Sequence, residues 1–177
     1  DADRCFFVDD TGEFVPGDFA TALLARAMLE QEPGARIIYD VRASWAVPHA
    51  IEEAGGVPLV NRVGHAFIKE RMREVDALFA GEVSAHYYFR AFTRADTGVV
   101  PFLVMLQLLS RSGRKLSELL APFRAAYFLS GEINTPVADV DGKLREIEER
   151  YAAAGGRISH LDGVSVVRRL RAGGIDV

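Results

Sequence analysis

Three side chains that could bind a sugar phosphate lie within five positions of one another, namely Glu82, Ser84 and His86. A carboxylate accepts hydrogen bonds from two neighbouring sugar hydroxyls, a serine hydroxyl both donates and accepts, and a histidine can donate to a phosphate or carry a proton. Gly81, just before them, allows a tight turn or a close approach of the backbone. The spacing therefore predicts a ligand-binding loop, although the same residue types also fit an ordinary polar surface turn.

The segments around this loop predict that it lies at the edge of a sheet. Residues 77–80 form a short apolar run typical of a buried strand, and residues 87–92 include aromatic residues that favour strands. Open α/β sheets bind their ligands at the carboxyl ends of strands. Two more loops follow predicted strands. One contains Arg42 and Ser44, and the other places His65 at the start of a helix, where free backbone N–H groups suit an anionic substrate.

A second set of polar residues opens the chain. Asp1 and Asp3 are separated by one small residue and can point at the same hard cation from a loop. Mg²⁺ is favoured, because it takes few carboxylates and leaves positions for phosphate oxygens and water. Arg4 can form a forked contact with a phosphate. An exposed acidic terminus is the alternative interpretation of the same residues.

Local signals predict the remaining elements of the first two thirds of the chain. Residues 6–8 and 14–15 flank a turn signal and predict a hairpin. Asp18 and Asp96 are expected to cap the helices that follow them. Residues 99–109 are apolar nearly all round and predict a helix in the core.

The last third of the chain has its own pattern. Residues 126–134 predict a connector and a strand that lead out of the main domain. Residues 140–151 carry an apolar stripe at helical spacing, and residues 158–167 predict a hairpin with an Asp-Gly turn. Together with the first part, these patterns predict an α/β protein with a smaller second part.

Composition limits the classes of function. The chain has 177 residues, a formal net charge of −4 and dispersed Lys and Arg, which argues against nucleic-acid binding. Its single cysteine, Cys5, excludes an internal disulfide and fits a reducing compartment. The longest apolar run is too short to span a bilayer, and no signal-peptide pattern opens the chain. These features predict a cytoplasmic protein that binds neither nucleic acid nor membrane.

Three of these loops, in this order, resemble those of the α-D-phosphohexomutases, the phosphomannomutase/phosphoglucomutase family. Residues 81–86 resemble the family's Gly-Glu-x-Ser-Gly-His, with Ala85 in place of glycine. Residues 64–69 resemble Gly-His-x-x-Ile-Lys, and residues 1–4 match the last four positions of Asp-Gly-Asp-x-Asp-Arg. The resemblance extends over residues 1–166.

The resemblance implies a fold and a domain organisation. Residues 1–14 would end the preceding metal-loop domain, residues 15–130 would form the sugar-binding domain, and residues 131–177 would begin an incomplete C-terminal domain. The sugar-binding domain is expected to be a three-layer α/β/α unit with a mixed sheet, and the C-terminal part a partial α+β domain. The chain is therefore expected to be a piece of a larger enzyme.

The resemblance also implies a reaction, in which a phosphoserine and a bisphosphorylated sugar exchange phosphate between the 1- and 6-positions of a hexose. The expected substrates are mannose or glucose phosphates, the expected cofactor is Mg²⁺, and the expected partners are the remaining domains of the same enzyme. The implied roles are metal binding by Asp1 and Asp3, phosphoryl contact by Arg4, sugar contact by Glu82 and Ser84, proton transfer or orientation by His65 and His86, and substrate contact by Arg42 and Ser44. The serine and the fourth-domain phosphate loop are absent from the 177 residues, so the isolated chain is expected to be inactive.

Three alternatives stay open at this stage. Phosphoglucosamine is the second choice of substrate. A stand-alone sugar-phosphate-binding module would need Glu82, Ser84 and His86 but no serine nucleophile. A phosphatase with an aspartate nucleophile would use Asp1 and Asp3, but such enzymes place this motif after a buried strand, and here the strand follows it.

Overall fold

The computed structural model describes residues 2–168, which divide into two compact units, one ending at Phe128 and the other beginning at Leu129. Asp1 and the tail after Arg168 lie outside the described residues. Within residues 2–168, no helix is both long and apolar enough to cross a lipid bilayer.

The first unit contains six strands and five α-helices among its described residues, and four of the strands form one mixed sheet. The sheet order is β4-β3-β5-β6; β3 runs parallel to β4 and β5, and β6 runs antiparallel to β5. The elements in chain order are β1 (Phe7–Val8), β2 (Phe14–Val15), α1 (Gly17–Leu29), β3 (Arg36–Asp40), α2 (Ala46–Glu53), β4 (Val57–Asn61), α3 (His65–Glu74), β5 (Phe79–Gly81), β6 (Tyr87–Phe89), α4 (Val99–Ser112) and α5 (Leu116–Ala126). The α/β class and the mixed sheet are confirmed.

Helices cover both faces of the sheet because its central strands are apolar on both sides. Successive side chains of a strand point to opposite faces, and the adjacent residues Ile37 and Ile38 are both fully buried. Ile38 packs in one cluster with Ile68 and Met72 of α3. Helices α1 and α2 pack against each other, and α1 also packs against β5. This layering makes β3 and β5 a rigid support for the loops that follow them.

The β1–β2 hairpin was predicted and is confirmed, with Phe7 opposite Val15. Its turn is held by Asp9, whose carboxylate accepts hydrogen bonds from the Thr11 hydroxyl at 2.6 Å and from Arg124 of α5 at 2.7 Å. The Thr11 hydroxyl is the largest influence on the pKa of Asp9, and with Arg124 it lowers that pKa far below the ordinary value although burial acts to raise it. The hairpin is therefore tied to the last helix of the unit by an ion pair.

The second unit consists of α6 (Val140–Ala153) followed by the antiparallel strands β7 (Arg157–Ser159) and β8 (Ser165–Val167). The predicted helix and hairpin of this part are both confirmed. The Asp139 side chain caps α6 by accepting a hydrogen bond from the backbone N–H of Gly142 at 2.8 Å. This small α+β arrangement is consistent with a partial domain.

Two predicted helix caps are wrong. Helix α1 is preceded by Pro16, and the buried Asp18 lies inside its first turn, where it accepts from the N–H of Phe19 at 3.0 Å. Helix α4 is preceded by Gly98, so Asp96 lies too far upstream to cap it. Asp18 instead also accepts from the N–H of Ser44 at 3.4 Å, and Asp96 pairs with Lys69, which are contacts with distant segments that a local capping pattern does not reveal.

Two further predicted elements differ from the structure. The apolar run at residues 99–109 does form a helix, but only Pro101 and Met105 of α4 are buried, because within the first unit the helix packs on one side only. The strand predicted within residues 126–134 does not form: Ala126 ends α5, and residues 127–134 belong to no helix or strand. The strand predicted at 87–92 ends at Phe89 and continues as a short 3₁₀ turn.

Candidate functional site

The predicted sugar-binding side chains converge in the turn between β5 and β6. Two backbone hydrogen bonds of Glu82 close the turn, each 3.0 Å long. The N–H of Glu82 donates to the carbonyl of His86, and the carbonyl of Glu82 accepts from the N–H of Ala85. Glu82 Oε2 lies 2.9 Å from Ser84 Oγ and 3.0 Å from His86 Nδ1, and Ser84 Oγ lies 3.0 Å from the same nitrogen. The three polar groups therefore form one closed hydrogen-bonded triangle.

Ala85 explains why glycine suits this position of the turn. Its φ of 65° lies in the left-handed region, which side-chain-bearing residues rarely adopt, and the residue is 1% exposed. The family motif carries glycine here, which adopts this conformation without steric cost. The alanine of this chain keeps the turn at the expense of local backbone strain.

The first described residues of the chain run alongside this turn. The N–H of Cys5 donates to the carbonyl of Ala85 at 3.2 Å, and Arg4 and His86 pair as an isolated antiparallel bridge. Arg4 Nε donates to His86 Nε2 at 3.2 Å, and Asp3 Oδ2 lies 3.6 Å from the same ring nitrogen. The N-terminal Asp-Arg pair and the sugar-binding turn are therefore parts of one cluster.

The contact with Arg4 determines the tautomer of His86 in this arrangement. A guanidinium has no acceptor atom, so Nε2 must accept the hydrogen bond and cannot carry a proton. The proton of the neutral ring then lies on Nδ1, which donates to Glu82 Oε2 and Ser84 Oγ. Glu82 is 3% exposed, so its carboxylate is satisfied mainly by this triangle and by the N–H of Gly64, 3.2 Å from Oε1.

Lys69 and Asp96 add to the site an ion pair that was not predicted from the sequence. Lys69 Nζ lies 2.6 Å from Asp96 Oδ1. Burial acts to raise the pKa of Asp96, but the hydrogen bond and charge of Lys69 prevail and lower that pKa. One ligand-type atom each of Asp96, Asp3 and His86 lies within 4.8 Å of the other two. Asp96 is therefore a third acidic group of the cluster.

The turn after Asp96 also holds the N-terminal segment in place. The N–H of Gly98 donates to the carbonyl of Ala2 at 2.8 Å. A Cβ atom at Gly98 would lie 2.4 Å from the carbonyl oxygen of Arg4, closer than any real contact, so only glycine fits against the Asp-Arg segment. The sequence had indicated only a helix cap at Asp96, two residues before this glycine.

Arg42 reaches the cluster through a buried aspartate. Asp40 Oδ2 accepts from Arg42 Nη2 at 3.0 Å and from the N–H of Val83 at 2.8 Å. Val83 lies between Glu82 and Ser84, so the loop after β3 is bonded directly to the sugar-binding turn. Ser44, in the same loop, has a buried hydroxyl with no hydrogen-bond partner among the described residues.

His65 is less closely integrated. It is the first residue of α3 and is exposed. Its neighbour Gly64 donates to Glu82, which brings the start of α3 next to the sugar-binding turn. The structure therefore brings together Asp3, Arg4, Glu82, Ser84 and His86, joins Arg42 to them through Asp40, and leaves His65 and Ser44 at the margin. Asp1 lies outside the described residues.

Comparison with known proteins gives this geometry a family. The family described as phosphoglucomutase/phosphomannomutase, alpha/beta/alpha domain III, matches residues 16–127. The chain belongs to this family. This matched segment includes β3, β5 and the loops at Asp40 and Glu82, so the family assignment covers the edge of the sheet that carries the site.

The relatives of this chain are longer than the chain itself. The chain is 41% identical over 165 residues to a protein of Xanthomonas campestris pv. campestris named "Phosphohexose mutases", and the aligned part is 93% of this chain and 37% of the relative. It is 42% identical over 166 residues to a phosphomannomutase of Escherichia coli strain K12, covering 94% of this chain and 36% of the relative. The chain therefore spans little more than a third of these relatives.

A solved structure gives the same family. A phosphoglucomutase/phosphomannomutase family protein of Burkholderia thailandensis is 28% identical to this chain and superposes with a TM-score of 0.70 over 99% of it, which is 39% of the solved chain. The resemblance to the phosphohexomutases found in the sequence is confirmed.

The family implies a bound Mg²⁺, and the described residues fit one ligand of such an ion. Asp3 offers a hard carboxylate oxygen that is 35% exposed, with Arg4 beside it for a phosphate. The neighbouring groups do not extend this ligand set, because Lys69 neutralises Asp96 and Arg4 occupies His86 Nε2. Within residues 2–168, Asp3 alone of the two predicted metal ligands can be placed at the site.

Proposed function

We propose that the chain is the sugar-binding part of a phosphohexomutase that interconverts hexose 1-phosphate and hexose 6-phosphate through a phosphoserine and a bisphosphorylated sugar. The observation that carries this proposal is the convergence of Asp3 and Arg4 with the Glu82–Ser84–His86 triangle at one edge of the sheet. A hydroxyl-binding group and a phosphate-binding group then lie side by side. The names of the mutase relatives support the proposal.

The triangle is suited to hold two adjacent hydroxyls. Glu82 offers a carboxylate whose Oε2 atom is shared by Ser84 and His86, and Glu82 and Ser84 can exchange the hydrogen bond between them for bonds to a sugar while His86 stays bonded to Glu82. We assign the 3- and 4-hydroxyls of the hexose to Glu82 and Ser84. Because these hydroxyls are adjacent and neither carries a phosphate, the same contacts can be made in either orientation of the bisphosphate.

Arg4 and His86 are assigned to the reacting end of the sugar. When Arg4 turns towards a phosphoryl group, Nε2 of His86 is released and can accept the proton of the attacking hydroxyl. Nδ1–H remains donated to Glu82, which stabilises the ring as it gains charge. His65, at the exposed start of α3, would orient or transfer a proton at the other end, and Arg42 and Ser44 would contact the second phosphate.

Mg²⁺ would be held by Asp1 and Asp3, with the missing ligands coming from the phosphoserine and from residues outside this chain. When bound, the ion would share the negative charge of the phosphoryl group. Mannose and glucose phosphates are the proposed substrates, the rest of the polypeptide is the proposed partner, and the cytoplasm is the proposed location. The proposed domain organisation has three parts: the end of one domain at residues 1–14, one whole domain at residues 15–130, and the start of another at residues 131–177.

The proposal is tested by expressing the full-length polypeptide and the 177-residue chain separately. A coupled assay should show turnover of mannose 1-phosphate and glucose 1-phosphate by the full-length protein with Mg²⁺, and none by the chain. Faster turnover of glucosamine 1-phosphate would move the assignment to a phosphoglucosamine mutase. Turnover by the chain alone would contradict the phosphoserine route.

A further inference from the structure

Asp40 is a buried charge at the end of the central strand, and none of the roles proposed above uses it. It is the last residue of β3, which pairs with β4 on one side and β5 on the other, and it is 0% exposed. A carboxylate without water is costly unless hydrogen bonds and an opposite charge compensate for it. The contacts of Asp40 therefore show what its burial accomplishes.

Both oxygens of Asp40 are used, and they serve two different loops. Oδ1 accepts from the backbone N–H of Arg42 at 2.8 Å and from its Nε at 3.3 Å. Oδ2 accepts from Arg42 Nη2 at 3.0 Å and from the N–H of Val83 at 2.8 Å. The two contacts to the guanidinium form a fork, which fixes the plane of the group as well as its position.

The two loops are the ones to which the proposed function assigns the substrate. The guanidinium of Arg42 is fixed on one edge by Asp40 while the side chain stays 46% exposed, so it reaches the surface of the site. The N–H of Val83 fixes the peptide between Glu82 and Ser84. A single buried carboxylate thus sets the distance between a phosphate-type contact and the sugar-binding triangle.

We propose that Asp40 is a positioning residue for hexose phosphate binding: it orients Arg42 towards the phosphate and holds the Glu82–Ser84 turn at the matching distance. This inference rests on the proposed function, because it takes the ligand of that site to be a hexose phosphate. Asp40 is buried beneath the loops and acts through Arg42 and Val83. A pre-oriented guanidinium loses less conformational freedom when the phosphate binds, which is an affinity gain rather than a gain in the chemical step.

The test is a double-mutant cycle in the full-length polypeptide, with Asp40→Asn, Arg42→Ala and the double variant. Loss of the fork removes binding that is present in both the ground state and the transition state, so Asp40→Asn should raise KM for hexose 1-phosphate about tenfold with little change in kcat. Asparagine keeps one side-chain oxygen that can accept from the N–H of Val83, so the turn should stay in place, and Asp40→Asn added to Arg42→Ala should raise KM no further than about twofold. Asp76→Asn is the matched control, because Asp76 also pairs with an arginine, Arg94, but is exposed and precedes β5 rather than following it.

Folding is checked on each variant by thermal unfolding, and Arg42→Lys provides a test that leaves Asp40 unchanged. If the fork sets the orientation, lysine should lose most of the affinity although it keeps the charge. An unchanged KM in Asp40→Asn, independent effects in the double variant, or full affinity in Arg42→Lys would each overturn the inference while leaving the proposed function intact. A wild-type enzyme that converts no hexose phosphate would overturn both.

Discussion

Arg4 Nε lies 3.2 Å from His86 Nε2, across 82 positions of the sequence. This contact joins the N-terminal Asp-Arg segment to the turn between β5 and β6, and the bridge between the two backbones reinforces it. A guanidinium at Nε2 and a carboxylate at Nδ1 place His86 between the proposed phosphoryl-contact and sugar-contact groups. The site is therefore assembled by tertiary contacts and not by one local motif.

The first prediction concerns the proton of His86. In the ligand-free chain the neutral ring should carry its proton on Nδ1, because Arg4 donates to Nε2. Nitrogen-15 spectra of the imidazole should show an unprotonated Nε2 and a protonated Nδ1, and Arg4→Ala should let the tautomers mix. A ring protonated at Nε2 in the wild-type chain would show that Arg4 does not make this contact in solution.

The second prediction concerns Lys69 and Asp96. Both are partly buried, with side chains 26% and 15% exposed, so removing one partner leaves a poorly solvated charge. We expect Lys69→Met to lower the free energy of unfolding by about 1–2 kcal/mol, between the values typical of exposed and of buried pairs. Denaturant unfolding of Lys69→Met, Asp96→Asn and the double variant measures the coupling. Effects that simply add would show that the pair contributes nothing as a pair.

The third prediction concerns the strained backbone at Ala85. Relief of the left-handed conformation should return about 1–2 kcal/mol in Ala85→Gly, while the lost methyl and the more flexible unfolded chain should cost a similar amount. The variant should therefore be close to neutral in stability. Ala80→Gly is the matched control, because Ala80 is equally buried but lies in β5 at an ordinary φ. It should lose about 1–2 kcal/mol, since no strain is relieved. Equal losses in the two variants would contradict the account.

The fourth prediction concerns acid stability and Asp9. The Thr11 hydroxyl, together with Arg124, lowers the pKa of Asp9 below the ordinary value of 3.8. A lowered folded-state pKa contributes stability that is complete above the unfolded value and is lost as the pH falls through the folded one. The contribution should therefore be complete at neutral pH and begin to decline below about pH 4, as the pH falls past the ordinary value of 3.8 towards the lowered one. Asp9→Asn should be less stable at neutral pH and should lose less on acidification, as measured by unfolding at a series of pH values. A parallel pH profile would contradict it.

The sequence predicted the elements of the site better than their connections. The Glu-x-Ser-x-His spacing indicated a strand-end turn, and the apolar runs at 37–38 and 79–80 correctly indicated the buried strands beside it. The role of Asp40 could not be predicted, because its contact with Val83 depends on β3 and β5 being neighbours in the sheet. Asp96 was taken for a helix cap because it precedes α4 in the sequence, and its actual partner, Lys69, lies on α3, far from it along the chain.

The burial of α4 is a second feature that the sequence did not predict. Its residues are apolar nearly all round, which indicated a helix buried on every side, yet Val99, Phe102, Leu103 and Leu106 are exposed. Periodicity indicates which residues avoid water, but it does not indicate how many neighbours the folded unit provides. The strand predicted within residues 126–134 is a second case, because residues 127–134 belong to no helix or strand.

The most direct test of the central claim compares Glu82→Gln with the wild type in the full-length enzyme, using glucose 1-phosphate and its 3-deoxy and 4-deoxy analogues. Glutamine retains an acceptor for the N–H of Gly64, so the turn should persist, and Glu70→Gln on the exposed face of α3 is the control. If Glu82 binds these hydroxyls, kcat/KM should fall about 100-fold in the variant, and removing a hydroxyl should cost the wild type far more than it costs the variant. Equal discrimination against the deoxy analogues by both enzymes would show that Glu82 does not contact the sugar.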